Sequence, residues 1–200
     1  MCGITGILNF SSQKVKKGAL ARMTDTLVHR GPDGEGYYCY NHVGLGHRRL
    51  KVIDLSEKGA QPMPNDDQSI WITFNGEIYN FKDLRQKLIK KGYNFFSKTD
   101  TEVILHAYEE WGMDCVQHLN GMFAFAIYDK NTERLIIFRD RLGIKPLFYY
   151  VSDQKFLFAS EIKAILTDPE VDRKLDVQGT HNYLSFYYST APLTLFSNIK

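Results

Sequence analysis

The chain opens with MCGITGILNF, residues 1–10, in which Cys2 stands directly before a predicted strand that begins at the N-terminus itself. Removal of Met1 requires a small next side chain, and Cys2 satisfies that requirement. The mature chain would then carry a thiol and a free α-amine on one residue, which is the pattern of an activated nucleophile. A buried structural cysteine is the competing interpretation, since free cysteines are usually buried.

Composition excludes several functional classes. The 200 residues carry a net charge of +2 and have no basic tail, and no apolar run approaches the length of a membrane span. We therefore expect neither a nucleic-acid partner nor a membrane. The 3 cysteines form no CxxC pair and no signal peptide precedes them, which favours a reducing, cytoplasmic location. Histidine spacing predicts no zinc site, and no phosphate-binding loop occurs.

Hydrophobic periodicity predicts more strands than helices. Two hairpins are expected, GMFAFAIYD with RLIIFRD (121–129 and 134–140) and LFYYV with FLFAS (147–151 and 156–160). Amphipathic helices are expected at 81–92 and 99–111. Strands that run in meanders with helices outside them indicate an α+β fold of stacked antiparallel sheets. The segment after Pro169 is less regular.

A candidate oxyanion hole lies in FNGEIYNF, residues 74–81. The preceding strand is predicted to end at Asn75-Gly76, and the residues that follow indicate a helix. At such a strand-to-helix bend a glycine N–H and an Asn amide could converge on one oxygen. A simple hairpin turn is the alternative interpretation.

Two further segments carry candidate binding groups. Arg48 and Arg49 are adjacent in a predicted strand, so one of them points inward and needs an anion from the protein or from a ligand. Thr99 and Glu102 have the spacing of a helix capping box, which explains them without function. Asp100 beside them could still receive a substrate ammonium group. An arginine and an aspartate could together hold an amino acid whose more distant carbonyl the thiol attacks.

The chain resembles the glutaminase domain of glutamine-hydrolysing asparagine synthetases, a class II (N-terminal nucleophile) glutamine amidotransferase. The resemblance covers about residues 2–165 and rests on motifs that occur in the expected order: MCGITGIL, HRGPDGEG, HRRLKVIDLS, NGEIYNF, TDTEVIL, GMFAFAIYD, RDRLGIKPLFYY and SEIKAIL. It implies a four-layer αββα sandwich of two antiparallel sheets. It also implies that glutamine is the substrate and that ammonia passes to a second domain.

The resemblance also implies roles for individual residues. The implied catalytic residues are Cys2, as the nucleophile, and Asn75 and Gly76, as the oxyanion-hole pair. Glutamine binding falls to Arg49 for the carboxylate, to Glu77 and Asp100 for the amino group, and to Val52 and Ile53 for main-chain contacts.

The C-terminal segment, residues 166–200, resembles a linker and the start of an ATP-dependent synthetase domain whose ATP loop is absent here. We expect no cofactor in this chain, with ATP and Mg²⁺ in that further domain, which would be its partner in a longer protein. A homodimer is left open. The most expected product of the longer protein is asparagine from aspartate. The alternatives are another acceptor, such as a sugar carboxylate, or a catalytically silent sensing or scaffolding domain.

Overall fold

The computed structural model describes residues 1–200. Its strands are β1 (Gly3–Asn9), β2 (Gly34–Tyr40), β3 (Val43–Arg49), β4 (Met63–Pro64), β5 (Ile70–Ile78), β6 (Gly121–Asp129), β7 (Arg134–Arg139), β8 (Phe148–Val151) and β9 (Lys155–Ala159). Its α-helices are α1 (Lys17–Asp25), α2 (Phe81–Lys90), α3 (Asp100–Trp111), α4 (Cys115–His118), α5 (Ile162–Ile165) and α6 (Val177–Phe186). None of the helices is both long enough and apolar enough to cross a membrane.

The strands form two antiparallel sheets. A five-stranded sheet has the order β2-β3-β1-β9-β8, and a four-stranded sheet has the order β4-β5-β6-β7. Strand β1 lies in the middle of the larger sheet, where Gly3 pairs with Arg48 of β3 and Thr5 pairs with Ala159 of β9. The N-terminus of the chain is therefore held between two neighbouring strands.

Three apolar clusters separate four layers. The first packs α2 and α3 on the four-stranded sheet and includes Leu88 and Ile104. The second packs α1 and α5 on the five-stranded sheet. The third lies between the sheets and includes Ile4, Ala126 and Phe158, all fully buried. The expected αββα sandwich is confirmed, because each sheet buries one face on the other sheet and one face on helices.

The Thr99 side chain caps α3 by accepting a hydrogen bond from Glu102 N at 3.3 Å. The reciprocal half of the predicted capping box does not form. The Glu102 carboxylate instead accepts hydrogen bonds from Phe96 N at 2.7 Å and Ser97 N at 2.8 Å. This bonding fixes the turn that leads into the helix and to Asp100.

The predicted end of the strand at Asn75-Gly76 is wrong. Strand β5 continues to Ile78, and Gly76 pairs with Phe123 of β6. A Cβ atom on Gly76 would lie 2.4 Å from Met122 O and 2.8 Å from the Cα of Phe123. The glycine therefore permits a close approach of two paired strands rather than a turn.

The segment after Pro169 contains α6 and then returns to the edge of the five-stranded sheet. Tyr149 and Lys200 exchange two backbone hydrogen bonds of 2.8 and 2.9 Å, and Ile199 is fully buried. The expected boundary between residues 165 and 166 stays a prediction.

The core between the sheets supplies a stability prediction. Phe158 is fully buried there, so Phe158→Ala should lower the free energy of unfolding by about 3–5 kcal/mol through lost burial and a cavity. Phe10 is 53% exposed, and Phe10→Ala should change it by less than about 0.5 kcal/mol. Urea denaturation of both variants measures the difference, and equal losses would contradict the assigned core.

Candidate active site

All eight residues proposed from the sequence line one pocket of about 190 Å³: Cys2, Arg49, Val52, Ile53, Asn75, Gly76, Glu77 and Asp100. The pocket lies where the start of β1 meets the end of β3, the second half of β5 and the start of α3. Residues far apart in sequence meet here because the sandwich brings the ends of both sheets together.

The Cys2 thiol is held by the backbone that follows β3. Leu50 N lies 3.4 Å from Cys2 Sγ, and Leu50 O lies 3.7 Å from it. Arg30 Nε donates to Cys2 O at 2.9 Å. Burial raises the pKa of the thiol, although the Leu50 hydrogen bond and the nearby positive charges oppose that rise. The thiol is therefore protonated at neutral pH and needs a base to become a nucleophile.

The side-chain amide of Asn75 is buried and its Nδ2 atom donates no hydrogen bond. A buried donor without an acceptor costs free energy, so nearly all such groups are paired in folded proteins. This donor belongs to a residue that lines the same pocket as Cys2. A reacting oxygen in the pocket would supply the acceptor that the protein itself does not.

The Gly76 N–H points in the same direction as those of Phe74 and Ile78, because alternate residues of a strand present their N–H groups to the same side. Phe74 N donates to Gln61 Oε1 at 2.7 Å, and Ile78 N donates to Asp100 Oδ2 at 3.0 Å. Both acceptors belong to pocket-lining residues. The Gly76 N–H lies between them and therefore also faces the pocket. This orientation follows from the extended strand and does not need the predicted bend.

Arg49 is the inward member of the arginine pair and is 7% exposed. Its guanidinium donates to the carbonyl oxygens of Ser56, at 2.8 Å, and Asp54, and it forms no ion pair. Arg48 instead pairs with two surface carboxylates. The sequence left open whether the anion that pairs with the inward arginine comes from the protein or from a ligand. In the structure no protein carboxylate pairs with Arg49.

Val52 and Ile53 follow in an irregular segment at the pocket, with side chains that are 67% and 37% exposed. Their backbone groups lie outside the strands and make no hydrogen bond within the protein. These groups are free for the main-chain contacts that the resemblance implied.

Asp100 and Glu77 provide the acidic part of the pocket. Asp100 is 5% exposed, and burial raises the pKa of its carboxyl to about 6 even though Ile78 N donates to it. The negative charge of Glu77 is a smaller contribution to this rise in pKa. A pocket with two carboxylates and a guanidinium that has no ion pair complements the two charged groups of an amino acid.

Gln61 and Lys145 are among the pocket residues that had no role in the sequence interpretation. The Gln61 amide accepts from Phe74 N and donates to Thr101 Oγ1 at 3.1 Å, so it ties β5 to α3. No pattern in the sequence identified it. Lys145 also lines the pocket, and it lies within the motif RDRLGIKPLFYY, which served only to support the resemblance.

Two hydrogen bonds between the sheets align the parts of the site. Thr73 Oγ1 donates to Gly46 O at 3.2 Å, and His47 Nε2 lies 3.2 Å from Phe74 O. Because a carbonyl only accepts, Nε2 carries the proton. Burial lowers the pKa of His47 to about 3, so the ring stays neutral. Strand β3 is thereby fixed against β5 next to the pocket.

Comparison with known proteins identifies relatives of the chain. Asparagine synthetase [glutamine-hydrolyzing] 3 of Bacillus subtilis is 47% identical over 204 residues, which cover 100% of this chain and 33% of that protein. A putative asparagine synthetase [glutamine-hydrolyzing] 2 of Methanocaldococcus jannaschii is 40% identical, over 99% of this chain and 42% of that protein. The chain therefore spans about a third of the length of its Bacillus relative.

Solved structures share the fold. A glutamine phosphoribosylpyrophosphate amidotransferase from B. subtilis superposes with a TM-score of 0.68 at 21% identity, over 83% of this chain and 43% of that chain. A structure described as the allosteric regulatory enzyme of purine biosynthesis gives a TM-score of 0.69 at 22% identity, with the same coverage. A family model described as a glutamine amidotransferase domain matches residues 1–200. Because that match covers the whole chain, the protein belongs to the glutamine amidotransferase family.

Proposed function

We propose that this chain hydrolyses glutamine to glutamate and ammonia through a thioester on Cys2. The observation that carries the proposal is the unpartnered amide of Asn75, which lines the same pocket as the Cys2 thiol and the Gly76 N–H. Two donors beside a nucleophile stabilise the oxyanion that forms when a carbonyl is attacked.

Substrate binding uses the charged groups of the pocket. The Arg49 guanidinium binds the glutamine carboxylate, and the Glu77 and Asp100 carboxylates bind its ammonium group. The free backbone of Val52 and Ile53 adds main-chain contacts. With both charged ends held, the side-chain amide is the part of glutamine left to approach Cys2.

The reaction begins with the mature N-terminus. Once Met1 is removed, the Cys2 α-amine accepts the thiol proton, and its ordinary pKa of about 7.7–8.0 suits a base at neutral pH. The thiolate attacks the amide carbon, and Asn75 and Gly76 hold the oxyanion. The amine then passes the proton to the departing nitrogen, ammonia leaves and the thioester remains. Water hydrolyses the thioester, which releases glutamate and restores the thiol.

The released ammonia supplies an ATP-dependent amidation, with aspartate as acceptor and asparagine as product. The names of the relatives support this acceptor, and their greater length supports a partner synthetase domain that would bind ATP and Mg²⁺. The glutaminase step needs only protein groups and water. Another acceptor would change the product of the longer protein and leave this step unchanged.

Processing of the N-terminus gives the first test. A chain that has lost Met1 should release ammonia from glutamine. In a folded chain that retains Met1, the nitrogen of Cys2 is part of a peptide bond and has no basic lone pair. This form should release almost no ammonia. Intact-mass analysis beside a glutaminase assay compares the two forms.

Equal activity of both forms would contradict the N-terminal base. No activity of the mature form under several conditions would instead support the silent scaffolding alternative. An uncleaved N-terminal tag should act like Met1, and a C-terminal tag should leave this step intact.

The oxyanion assignment predicts that Asn75→Ala lowers kcat by about 10²–10³ with little change in KM. The variant should not lose stability, because the deleted amide donates no hydrogen bond. Asn80→Ala serves as control, since the Asn80 amide donates to His118 O away from the pocket. Steady-state kinetics and thermal denaturation measure both effects, and unchanged turnover in Asn75→Ala would remove the assigned role.

The adjacent arginines form a matched pair for testing substrate binding. Arg49→Ala should raise KM for glutamine far more than it lowers kcat, because a carboxylate clamp binds ground and transition states alike. Arg49→Lys should rescue poorly because it loses the planar fork. Arg48→Ala should leave KM unchanged. Loss of folding in Arg49→Ala alone would show that its hydrogen bonds to Ser56 and Asp54 serve structure instead.

A further inference from the structure

Lys145 is a buried cation without an anionic partner. The residue is 5% exposed and makes no ion pair. The only hydrogen-bond partner of its ammonium is the Met1 thioether, with Nζ 3.2 Å from Sδ. A thioether is a weak acceptor, and a buried charge is ordinarily paired. Because Lys145 lines the same pocket as Cys2, its unpaired charge can act on groups of that pocket.

The segment before Lys145 is held by more hydrogen bonds than a surface turn requires. The Asp140 carboxylate accepts hydrogen bonds from the backbone N–H groups of Leu142, Ile144 and Lys145 at 2.9–3.2 Å. Burial opposes ionisation of this carboxyl, yet these donors lower its pKa. Arg139 Nε donates to Lys145 O at 2.8 Å. The backbone of Lys145 is thus fixed, as a preorganised charge requires.

The position of the ammonium relates it to the N-terminus of the mature chain. Five covalent bonds separate Met1 Sδ from Cys2 N, so Lys145 Nζ, 3.2 Å from the sulfur, lies within about 10 Å of that nitrogen. Removal of Met1 takes away the only hydrogen-bond partner of the ammonium and creates an amine within about 10 Å of it.

We propose that Lys145 is a positioning residue whose fixed positive charge keeps the α-amine of mature Cys2 unprotonated and therefore able to act as the base. A like charge disfavours the protonated form of an amine. At such a separation the pKa falls by about one unit for an effective dielectric constant near 20–30. The inference rests on the proposed function, because only an N-terminal base needs this protection.

Other charged groups face Cys2 from the surrounding elements. The cations are Arg30, which pairs with Glu161, and Arg49 at the end of β3, and the anions are Glu77 on β5, Asp100 on α3 and Asp54 in the segment after β3. The anions favour the protonated amine. In the complex, the carboxylate of glutamine neutralises Arg49, while its ammonium neutralises the acidic pair. Lys145 is then the pocket cation that the substrate leaves unneutralised.

The pH dependence of kcat tests the proposal, because it reports the ionisation of groups in the enzyme–substrate complex. In Lys145→Met, which keeps the length and apolar stem of the side chain, the acidic limb of kcat should move up by about 0.5–1 pH unit. Lys145→Arg keeps the positive charge, so its acidic limb should stay at the wild-type position. Lys90→Met, at an exposed position of α2, should leave the limb unchanged. A purely structural lysine would change activity at every pH without moving the limb, and that result would overturn the proposal.

A second measurement separates this inference from glutaminase activity. Cys2→Ala still permits removal of Met1, so the pKa of the N-terminal amine can be followed by NMR of labelled Ala at position 2. Adding Lys145→Met should raise that pKa by about 0.5–1 unit. An unchanged amine pKa overturns the role of Lys145 whether or not the enzyme is active. A raised pKa together with an inactive mature wild-type chain would support the electrostatic contact and reject the proposed function instead.

Discussion

The pairing of β1 on both of its edges is the interaction on which the rest of the site depends. A terminal segment is ordinarily mobile unless other parts of the fold hold it. Here Gly3 is already registered against Arg48, and Thr5 is bound against Ala159 on the other side. Cys2 is the residue just before this anchored strand. Its thiol can therefore keep a fixed place beside Leu50. Its amine lies at the end of the sheet and takes no part in strand pairing.

Alignment of the two sheets converts that anchored end into a pocket. Strand β3 carries Arg49 and strand β5 carries Asn75 and Gly76, and the two strands belong to different sheets. The Thr73 hydroxyl and the neutral His47 ring join those sheets near the pocket. Apolar packing alone tolerates sliding, whereas directional hydrogen bonds in a dry interior set a single alignment. Arg49, Asn75 and Gly76 thus lie in one pocket.

The sequence predicted much of this arrangement because period and motif order are local properties. Apolar runs on either side of a short polar turn identified both late hairpins, and the sandwich is confirmed. The end of β5 was mistaken because Asn-Gly favours turns, and only the close approach of β6 shows that the glycine serves strand pairing. The sequence did not predict a role for Gln61, because the hydrogen bonds of its side-chain amide join segments that meet only in the folded structure. The individual roles of the eight pocket residues stay predictions that kinetics must test.

The central place of β1 has a consequence for how the site is made. Strand β1 leaves the ribosome before its two partner strands, which end at positions 49 and 159 of the chain. The strand that anchors Cys2 can be completed only after nearly the whole domain has been synthesised, and contacts over such sequence separations form slowly. Cys2 is therefore translated before both of the strands that fix it in place. The Cys2 thiol of a nascent chain is not held in its pocket until β9, the last strand of the larger sheet, has been synthesised.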